Sequence, residues 1–564
     1  HPESALHIVA IGLLWAAWEL WSVRAKGWFR ACAAGAGAGA LALLLCAIFL
    51  LPVIEAIPQT MENLFRSAIY TKAHRSLPPE EALQRLRLNV LPFEYGDPGD
   101  SVRAASEPEY PHFDNGYAGT VVLALAILGL WRSPQREKWV LLAVLGVGVL
   151  IGNDFPPFAD WLAKLPLFDV AINSRMLFAQ TFALAALAAL GVERLRDVVD
   201  RRRFAAVCAC LAAIVGAIVL LRWDPMIASE LTAEFLARHT AFLLLPLIAA
   251  LLCARLVRGE RALLASIVLV LIVQRTAEHG GFYPTIDAAA FYPKIEVLAG
   301  LPADGEPYRI TAAGNVLWPN FATIYGLEDV RGYQAMTFNR MRQTYGFWCV
   351  PQPVWSNRID DLGRPFLDAL NVRHALASPD YHPPAWWHKV KEQPGVQLLE
   401  NDRVLGRAFV PARIRLEEDD GRTLKEISEA TDFRQRGWVR MRGHHGEEIP
   451  NGAGHVATIR GGLGRLAMTA TMDAPGWIII SETAWKGWKA YIDQKRTPLY
   501  FGDHALLALY VPAGKHAILL SYLPRSFVLG RAITFATIAG LLVFGVARWR
   551  WKRYGVSDST SHSR

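Results

Sequence analysis

The sequence predicts a polytopic α-helical membrane protein with about nine spans and a large extracytoplasmic α+β region that ends in a β-sandwich-like domain. Apolar stretches of about 13–23 residues recur from Ala5 to Gln274, and a helix needs roughly 20 apolar residues to cross a bilayer. One more apolar stretch follows Leu529. Between Arg275 and Arg525 no such stretch occurs, and proline, glycine, tryptophan and charged residues become as frequent as in soluble domains.

The loops between the predicted spans alternate between two kinds. Every second loop is short and basic, which is typical of cytoplasmic loops, whereas the others are longer, more acidic and richer in proline. The spans are predicted near residues 5–22, 33–53, 117–131, 139–152, 176–192, 204–221, 240–257, 262–274 and 529–547. The basic residues are Arg24, Lys26, Arg30, Arg132, Arg136, Lys138, Arg194, Arg196, Arg201, Arg202, Arg203, Arg255, Arg258, Arg261, Arg548, Arg550, Lys552 and Arg553.

This alternation predicts a bacterial inner-membrane protein whose large soluble region lies outside the cytoplasm. The predicted parts are a helical bundle over 1–274 with outer loops 54–116 and 153–175, an extracytoplasmic α/β region over 275–404, an extracytoplasmic β-rich domain over 405–528, a transmembrane helix over 529–553 and a cytoplasmic tail over 554–564. The net charge of +8 lies largely in these short loops, so nucleic acid is not a predicted partner.

The β-rich domain is predicted from alternating apolar and polar positions separated by turn residues. Its clearest strands are predicted at 466–472, 476–482, 489–493, 506–511 and 516–522, arranged as a meander with a turn at 512–515. Trp477, Trp485 and Trp488 lie in this region. Two interpretations remain open for them: packing in the core, or stacking on sugar rings.

The outer loops contain further candidates. An amphipathic helix is predicted around Pro79–Val90 in the first loop. The tyrosine-rich segment that follows suits the membrane interface, but it also contains Asp114, which would lie just above the bilayer on a ligand-binding surface. Arg175 stands at the outer mouth of a predicted span, where it either binds a phosphate group or extends its charged end to the interface. Both alternatives stay open for each segment.

Several motifs of soluble and transport chemistry are absent from the sequence. There is no phosphate-binding Gly-x-x-x-x-Gly-Lys loop, no Gly-x-Ser-x-Gly and no His-Glu-x-x-His. The spans also carry few charged residues, which disfavours a transporter. The glycines at 35, 37 and 39 predict close packing between helices.

Other stretches resemble the YfhO-type bacterial membrane proteins. The most specific is Asn320–Tyr333, which is similar to that family's Asn-x-x-x-x-Tyr-Gly-Leu-x-Asp-x-Arg-Gly-Tyr. The stretches Ser481–Asp493 and Val511–His516 are similar to its closing β-domain. Weaker likenesses are found at residues 1–7, 116–119, 165–175 and 522–525, where the third lacks the family's inner proline and first arginine.

The resemblance implies a GT-C-type glycosyltransferase. Such an enzyme takes a sugar from a polyprenyl-phosphate carrier in the membrane and passes it to a cell-envelope acceptor on the outer face, such as a glycan or a teichoic-acid-like polymer. In that fold the catalytic acid lies in the first outer loop, which is expected upstream of His1. The sequence begins at His1 without a methionine or a signal peptide, and we expect further residues before it.

The resemblance also implies roles for individual residues. Arg175 is the first candidate for contact with the lipid phosphate and His1 the second, because the leaving group needs positive charge or a divalent metal. Arg331 and Tyr333, with Asp114, are candidates for the acceptor side. The Asp329–Arg331 pair is equally compatible with an internal ion pair that holds a turn. No motif requires a cofactor, and no metal ligands are assigned. The alternative function is a non-catalytic membrane scaffold whose outer domain binds envelope polymers.

Overall fold

The computed structural model describes residues 2–23, 27–65, 76–97, 102–103, 115–279, 285–291, 294–298, 301, 305–332, 336–351, 357–460, 462 and 464–554. They form two compact units, the first within residues 1–31 and 66–287 and the second within 32–65 and 288–564. Each unit contains both predicted membrane helices and segments that the sequence predicts to lie outside the membrane. The domain boundaries given above stay predictions.

The helices occupy both ends of the chain, and short helices are interspersed among strands between them. In chain order they are α1 Pro2–Val23, α2 Trp28–Leu45, α3 Ala47–Ala56, α4 Met61–Phe65, α5 Pro79–Leu88, α6 Thr120–Arg132, α7 Glu137–Gly152, α8 Phe158–Leu162, α9 Leu177–Arg194, α10 Val198–Ala228, α11 Ala233–Leu256, α12 Glu260–His279, α13 Ala288–Phe291, α14 Asn339–Gln343, α15 Tyr345–Trp348, α16 Phe366–Ala369, α17 Asp420–Glu429 and α18 Arg525–Tyr554.

Six candidate membrane spans are found among the described helices, so the chain is a multi-pass membrane protein. The count of nine stays a prediction, because the spans predicted at 117–131 and 139–152 correspond to α6 and α7, which have 13 and 16 residues. The span predicted at 262–274 falls in α12. The six are Glu3–Trp21, Trp28–Leu45, Asn173–Arg194, Val198–Ala228, Ala233–Leu256 and Arg525–Trp551.

In the first unit, the predicted cytoplasmic loops meet at one end of the helices. The buried carboxylate of Asp200 accepts hydrogen bonds from Arg132, Arg194 and Arg203, each at 2.9 Å. The guanidinium of Arg201 donates to backbone carbonyls of residues 195 and 258. Asp200 and Arg201 together thus join three loops that are otherwise basic, which makes this end of the unit strongly positive.

The predicted outer loops meet at the other end of these helices. The amphipathic helix predicted near Pro79–Val90 is confirmed as α5, and Asn89, which follows it, accepts the backbone N–H of Gly116 at 2.7 Å. The Asn89 amide also donates to Asn153 at 3.3 Å. Arg222 forms an ion pair of 2.8 Å with the buried Glu94. The structure therefore brings together loop segments that the charge pattern assigned to one side.

In the second unit, α18 runs antiparallel to α3. A Cβ on Gly530 would lie 2.3 Å from the carbonyl oxygen of Ala47, so only glycine permits this approach. One turn further along α18, the hydroxyl of Thr534 accepts the backbone N–H of Ile48 at 3.1 Å and donates to the carbonyl of Leu45 at 3.1 Å. These bonds satisfy backbone groups at the break between α2 and α3.

The glycines predicted to mediate helix packing do not do so within the described chain. A Cβ on residue 35, 37 or 39 would have no described atom within 4 Å. Close approaches are made instead by other glycines, among them Gly530 and, in the first unit, Gly129 and Gly191 of α6 and α9. For the latter pair, an added Cβ would lie 2.1 and 2.0 Å from the opposite backbone carbonyl.

The strands of the chain lie almost entirely in the second unit. They are β1 Gly96–Asp97, β2 Val102–Arg103, β3 Arg309–Ala312, β4 Val350–Pro351, β5 Asn357–Arg358, β6 Val372–Ala377, β7 Trp387–Gln393, β8 Val396–Asn401, β9 Ala408–Phe409, β10 Arg413–Glu417, β11 Arg436–Arg440, β12 His445–Pro450, β13 Gly454–Arg460, β14 Arg465–Met472, β15 Gly476–Thr483, β16 Trp488–Ile492, β17 Lys495–Thr497, β18 Tyr500–Gly502, β19 Leu506–Val511 and β20 Gly514–Tyr522.

Two sheets pack face to face at the C-terminal end of this region. One has the order β12-β10-β11-β18-β19-β15-β9, and the other has the order β13-β14-β20-β16-β17. Their shared core contains Met468, Ile478, Ile480, Leu509 and Leu520, all buried. A smaller sheet, β3-β6-β8-β7, precedes them, with β3 parallel to β6. The prediction of a strand-rich C-terminal region is confirmed.

The predicted meander is wrong, although its strands are placed correctly. The strand β14 pairs with β13 and β20, whereas the next strand, β15, pairs with β19 and β9 in the other sheet. The turn predicted at 512–515 likewise connects the two sheets rather than two neighbouring strands. Both faces of β15 are buried, one in the core between the sheets and the other against the preceding α/β region.

Candidate functional site

A polar cavity of about 330 Å³ lies in the second unit. It is formed where residues 329–332 and 336–338 face the C-terminal end of β15, and the short helices α14 and α15 close another side. Residues 329–332 and the end of β15 from Ser481 onwards belong to motifs that carried the family resemblance. The described lining residues are Arg309, Asp329, Val330, Arg331, Gly332, Met336, Thr337, Phe338, Met341, Tyr345, Trp348, Asn357, Leu370, Ser481, Thr483, Trp485 and Leu506.

Arg331 is held by an internal ion pair. Its guanidinium donates to both carboxylate oxygens of Asp329, at 3.1 and 2.8 Å, and to the carbonyl of Leu317 at 2.9 Å. The two side chains are only 1% and 2% exposed. The structure thus shows the internal pair that the sequence left as one of two alternatives, and the pair fixes the turn that forms one wall of the cavity. The acceptor-side role of Arg331 stays a prediction.

A β-bulge shapes the opposite wall. The register of β15 against β19 shifts between Ile480 and Thr483, which changes the direction of the side chains after the buried part of the strand. At the bulge, the backbone N–H of Ser481 donates to the carbonyl of Arg407 at 2.8 Å. The Ser481 hydroxyl in turn accepts a hydrogen bond of 2.8 Å from Arg309. The bulge therefore links β15 to the cluster of charges beside the cavity.

Two arginines and two glutamates form this arginine–glutamate cluster, which consists of Arg309, Arg407, Glu328 and Glu482. Arg407 is buried and donates to Glu328 at 2.6 Å and to Glu482 at 2.7 Å. Arg309 lies 3.5 Å from Glu482 and 4.0 Å from Glu328. Burial, and then the nearby Arg407, lower the pKa of Arg309 to about 10, so Arg309 remains protonated at neutral pH.

The remaining polar wall of the cavity carries hydroxyl and amide groups. Tyr345 is buried, which raises the pKa of its phenol, while hydrogen bonds with Asn357 and Thr337 act in the opposite direction. On the same short helix as Tyr345, the indole N–H of Trp348 donates to the hydroxyl of Thr344 at 3.1 Å. These groups offer hydrogen-bond donors and acceptors of no net charge.

The three tryptophans of the β-rich region differ in their surroundings. Trp477 is buried among Tyr500 and Tyr510, with ring centroids 5.1 and 5.3 Å away, so for this residue the core-packing alternative is confirmed. Trp488 packs on a tyrosine of β20 and donates to the carbonyl of Thr483 at 3.1 Å. Trp485 is half-buried and lines the cavity, where its ring lies 4.7 Å from that of Phe338.

The predicted site residues that the structure describes belong to different units. Arg175 belongs to the first unit, where its guanidinium forms an ion pair of 2.6 Å with Glu3, and its side chain is 39% exposed. Arg331 belongs to the second unit and lines the cavity. His1, Asp114 and Tyr333 lie outside the described residues. Within the described part of the chain, no group of three or more metal-binding side chains is placed to hold a metal ion.

Sequence reasoning missed Arg309 and the arginine–glutamate cluster. No local motif marks Arg309 or Arg407, because their partners lie between 19 and 173 positions away along the chain. Local signals exist for Trp485, for which sugar stacking is one of two open interpretations, and for Ser481, which belongs to a family-like motif without an assigned role. The cavity depends on long-range pairing that spacing in the sequence does not reveal.

One comparison with known proteins gave a match. The family described as "Bacterial membrane protein YfhO" matches residues 457–534, a stretch that includes the bulged strand, Trp485 and the start of α18. This confirms the resemblance predicted from the motifs. No curated protein and no solved structure matches the chain.

Proposed function

We propose that this YfhO-type membrane protein transfers a sugar from a polyprenyl-phosphate carrier to a cell-envelope acceptor, a glycan or a teichoic-acid-like polymer, on the outer face of the inner membrane. One observation carries the proposal: residues of two separate family-like motifs, at 329–332 and 481–485, line the same polar cavity. A cavity that combines polar groups with aromatic side chains is typical of small-ligand sites. We assign this cavity to the acceptor side.

The distribution of charge supports the orientation that the proposal requires. In the first unit, the arginines around Asp200 lie at one end of the helices and the loop contacts of Asn89 at the other. Positive charge in short loops favours the cytoplasmic side. The end that contains α5 is then the outer one.

The second unit is consistent with the same orientation. Lys486, in the loop after the bulged strand, lies 3.5 Å from Glu55 near the end of α3, so the β-rich region adjoins this end of the membrane helices. Along the antiparallel helix α18, Arg548 and Arg550 lie towards the opposite end. By the charge rule, those arginines are cytoplasmic and the cavity is displayed outside.

The chemistry of the proposed transfer has two requirements. A carboxylate removes the proton from the acceptor hydroxyl, and the phosphate leaving group needs positive charge or a divalent metal beside it. Arg175 is the first candidate for this positive charge, and His1 is the second. The carboxylate of Glu3 accepts a hydrogen bond of 2.6 Å from the guanidinium of Arg175, so an incoming phosphate would compete with Glu3 for the same donor.

A scaffold that binds envelope polymers without catalysis is the second candidate function. It is favoured because the described charged residues that line the cavity are paired with residues of opposite charge. Arg331 is paired with Asp329, and Arg309 is neutralised by the carboxylates of the arginine–glutamate cluster. A cavity in which the charges are internally paired is suited to binding, whereas it supplies no obvious acid or base for transfer.

A transfer assay separates the two functions. Membranes containing the protein, expressed from its complete gene, would be supplied with polyprenyl-phosphate-linked radiolabelled sugars and envelope acceptor polymer. We expect incorporation into the polymer, at least a tenfold loss with Arg175→Ala, and no comparable loss with Glu3→Gln, which keeps the arginine. Binding of polymer without transfer of any sugar would favour the scaffold. Equal transfer by wild type and Arg175→Ala would remove that residue from the phosphate site.

A further inference from the structure

We propose that the cavity binds a neutral, hydroxyl-rich sugar residue against the ring of Trp485, and that it discriminates against units bearing phosphate. The inference rests on the proposed function only in taking the cavity as the acceptor side. It narrows the acceptor to an uncharged glycan. Charge balance, the chemistry of the hydrogen-bonding groups and the aromatic wall each lead to it.

The charges around the cavity cancel. Three of the described lining residues are charged, and with their partners they make three arginines and three acids: Arg309, Arg331 and Arg407 against Glu328, Asp329 and Glu482. Tight phosphate sites usually present a guanidinium or ammonium group free to bind two oxygens. Here the guanidinium groups already donate to carboxylates and carbonyls. A phosphate would therefore lose its water without gaining an uncompensated positive charge.

The uncharged groups of the cavity suit hydroxyls. Thr337, Tyr345 and Thr483 each carry a hydroxyl that can donate and accept, and Asn357 adds both an N–H₂ donor and a carbonyl acceptor. A phosphate oxygen can only accept hydrogen bonds, so it could use the donors of this wall but not its acceptors. A sugar hydroxyl both donates and accepts. The wall is thus chemically complementary to a polyol and less so to an anion.

The aromatic wall supplies the third argument. Trp485 is half-buried at the cavity, and its ring is supported from one side by Phe338 at 4.7 Å. A supported indole presents a flat apolar surface on which the C–H face of a pyranose ring can pack. The volume, about 330 Å³, lies at the small end of ligand pockets, which favours one or two sugar residues within a longer glycan.

The test measures binding without transfer. The full chain in nanodiscs would be titrated, by ligand-observed NMR, with neutral gluco-disaccharides and with glycerol-phosphate dimers. We expect the neutral sugars to bind at least tenfold more tightly than the phosphate-bearing dimers. Trp485→Ala should weaken sugar binding by about tenfold, and Trp485→Phe should retain it to within about threefold because stacking persists. The matched control Trp318→Ala, at a tryptophan that is 64% exposed and outside the lining, should leave binding unchanged.

A second variant addresses charge without depending on Trp485. Glu482→Gln removes one negative charge from the arginine–glutamate cluster, and we expect it to raise the affinity for glycerol phosphate by about threefold or more. The proposal is overturned if neutral sugars do not bind, or if phosphate-bearing dimers bind as tightly as neutral sugars. It is also overturned if the folded Trp485→Ala variant binds neutral sugars as tightly as the wild type, or if Glu482→Gln leaves the affinity for glycerol phosphate unchanged. Sugar binding without transfer would contradict the proposed function alone. Transfer to a phosphate-bearing polymer without sugar binding would contradict this inference alone.

Discussion

Replacing Arg407 by methionine tests whether the arginine–glutamate cluster holds the cavity together. The side chain of Arg407 is 3% exposed, and it donates to Glu328, Glu482 and Asn371. Methionine fills similar space but leaves two carboxylates with Arg309 as their remaining cation within the cluster. We therefore expect the free energy of unfolding of the second unit to fall.

The size of this effect follows from burial. Removing one partner of a buried ion pair costs about 3–5 kcal/mol. Glu328 is 39% exposed and Glu482 is 24% exposed, so water stabilises part of the charge left behind and the expected loss is about 2–3 kcal/mol. At about 2–4 °C per kcal/mol, the melting temperature should fall by about 4–12 °C.

The measurement is thermal unfolding of the full chain in nanodiscs, followed by tryptophan fluorescence. The matched control is Arg436→Met, which removes an arginine that is 45% exposed and whose partner, Glu448, keeps a second ion pair with Arg413. This control should shift the melting temperature by less than about 2 °C. Equal shifts for Arg407→Met and Arg436→Met would refute the claim that the cluster supports the cavity.

Two further variants test other parts of the fold. Burial raises the pKa of Asp503 to about 7, so the wild type should lose stability relative to Asp503→Asn as pH rises from about 4 to 7. A difference in melting temperature between the two proteins that stays constant from about pH 4 to 8 would contradict this. Gly530→Leu should force α18 away from Ala47 and lower the melting temperature and the folded yield. The control Gly540→Leu should change neither, because no described atom lies within 4 Å of the Cβ position of residue 540. Equal effects of the two variants would contradict the close approach at Gly530.

The sequence was most informative where a signal is local. Helix length, loop charge and strand alternation depend on neighbouring residues, so α5 and the strands β14, β15 and β19 lie where they were predicted. Strand order was not predictable in the same way. The strands β14 and β15 are separated by three residues, yet they belong to different sheets. An alternating pattern marks which face of a strand is buried but does not identify its partner.

Helix packing shows the same limit. The glycines at 35, 37 and 39 have the spacing that predicts close contact, but close approaches occur instead at Gly129, Gly191 and Gly530, which that spacing does not mark. The sequence did not predict the cavity either, because Arg309 and Ser481 are brought together from positions far apart in the chain. The pairing of Arg331 with Asp329, in contrast, was visible as an alternative, since both residues belong to one turn.

The most direct test of the account is the side of the membrane on which the cavity-bearing region lies. In a variant whose six native cysteines are replaced by alanine, Lys495→Cys and Arg202→Cys place single reactive thiols at exposed positions, one in the β-rich region and one at the basic end of the first unit. A membrane-impermeant maleimide applied to cells with a permeabilised outer envelope and an intact inner membrane should label residue 495 and leave residue 202 unlabelled until the inner membrane is opened. Labelling of residue 202 alone would place the cavity in the cytoplasm and contradict sugar transfer at the outer face.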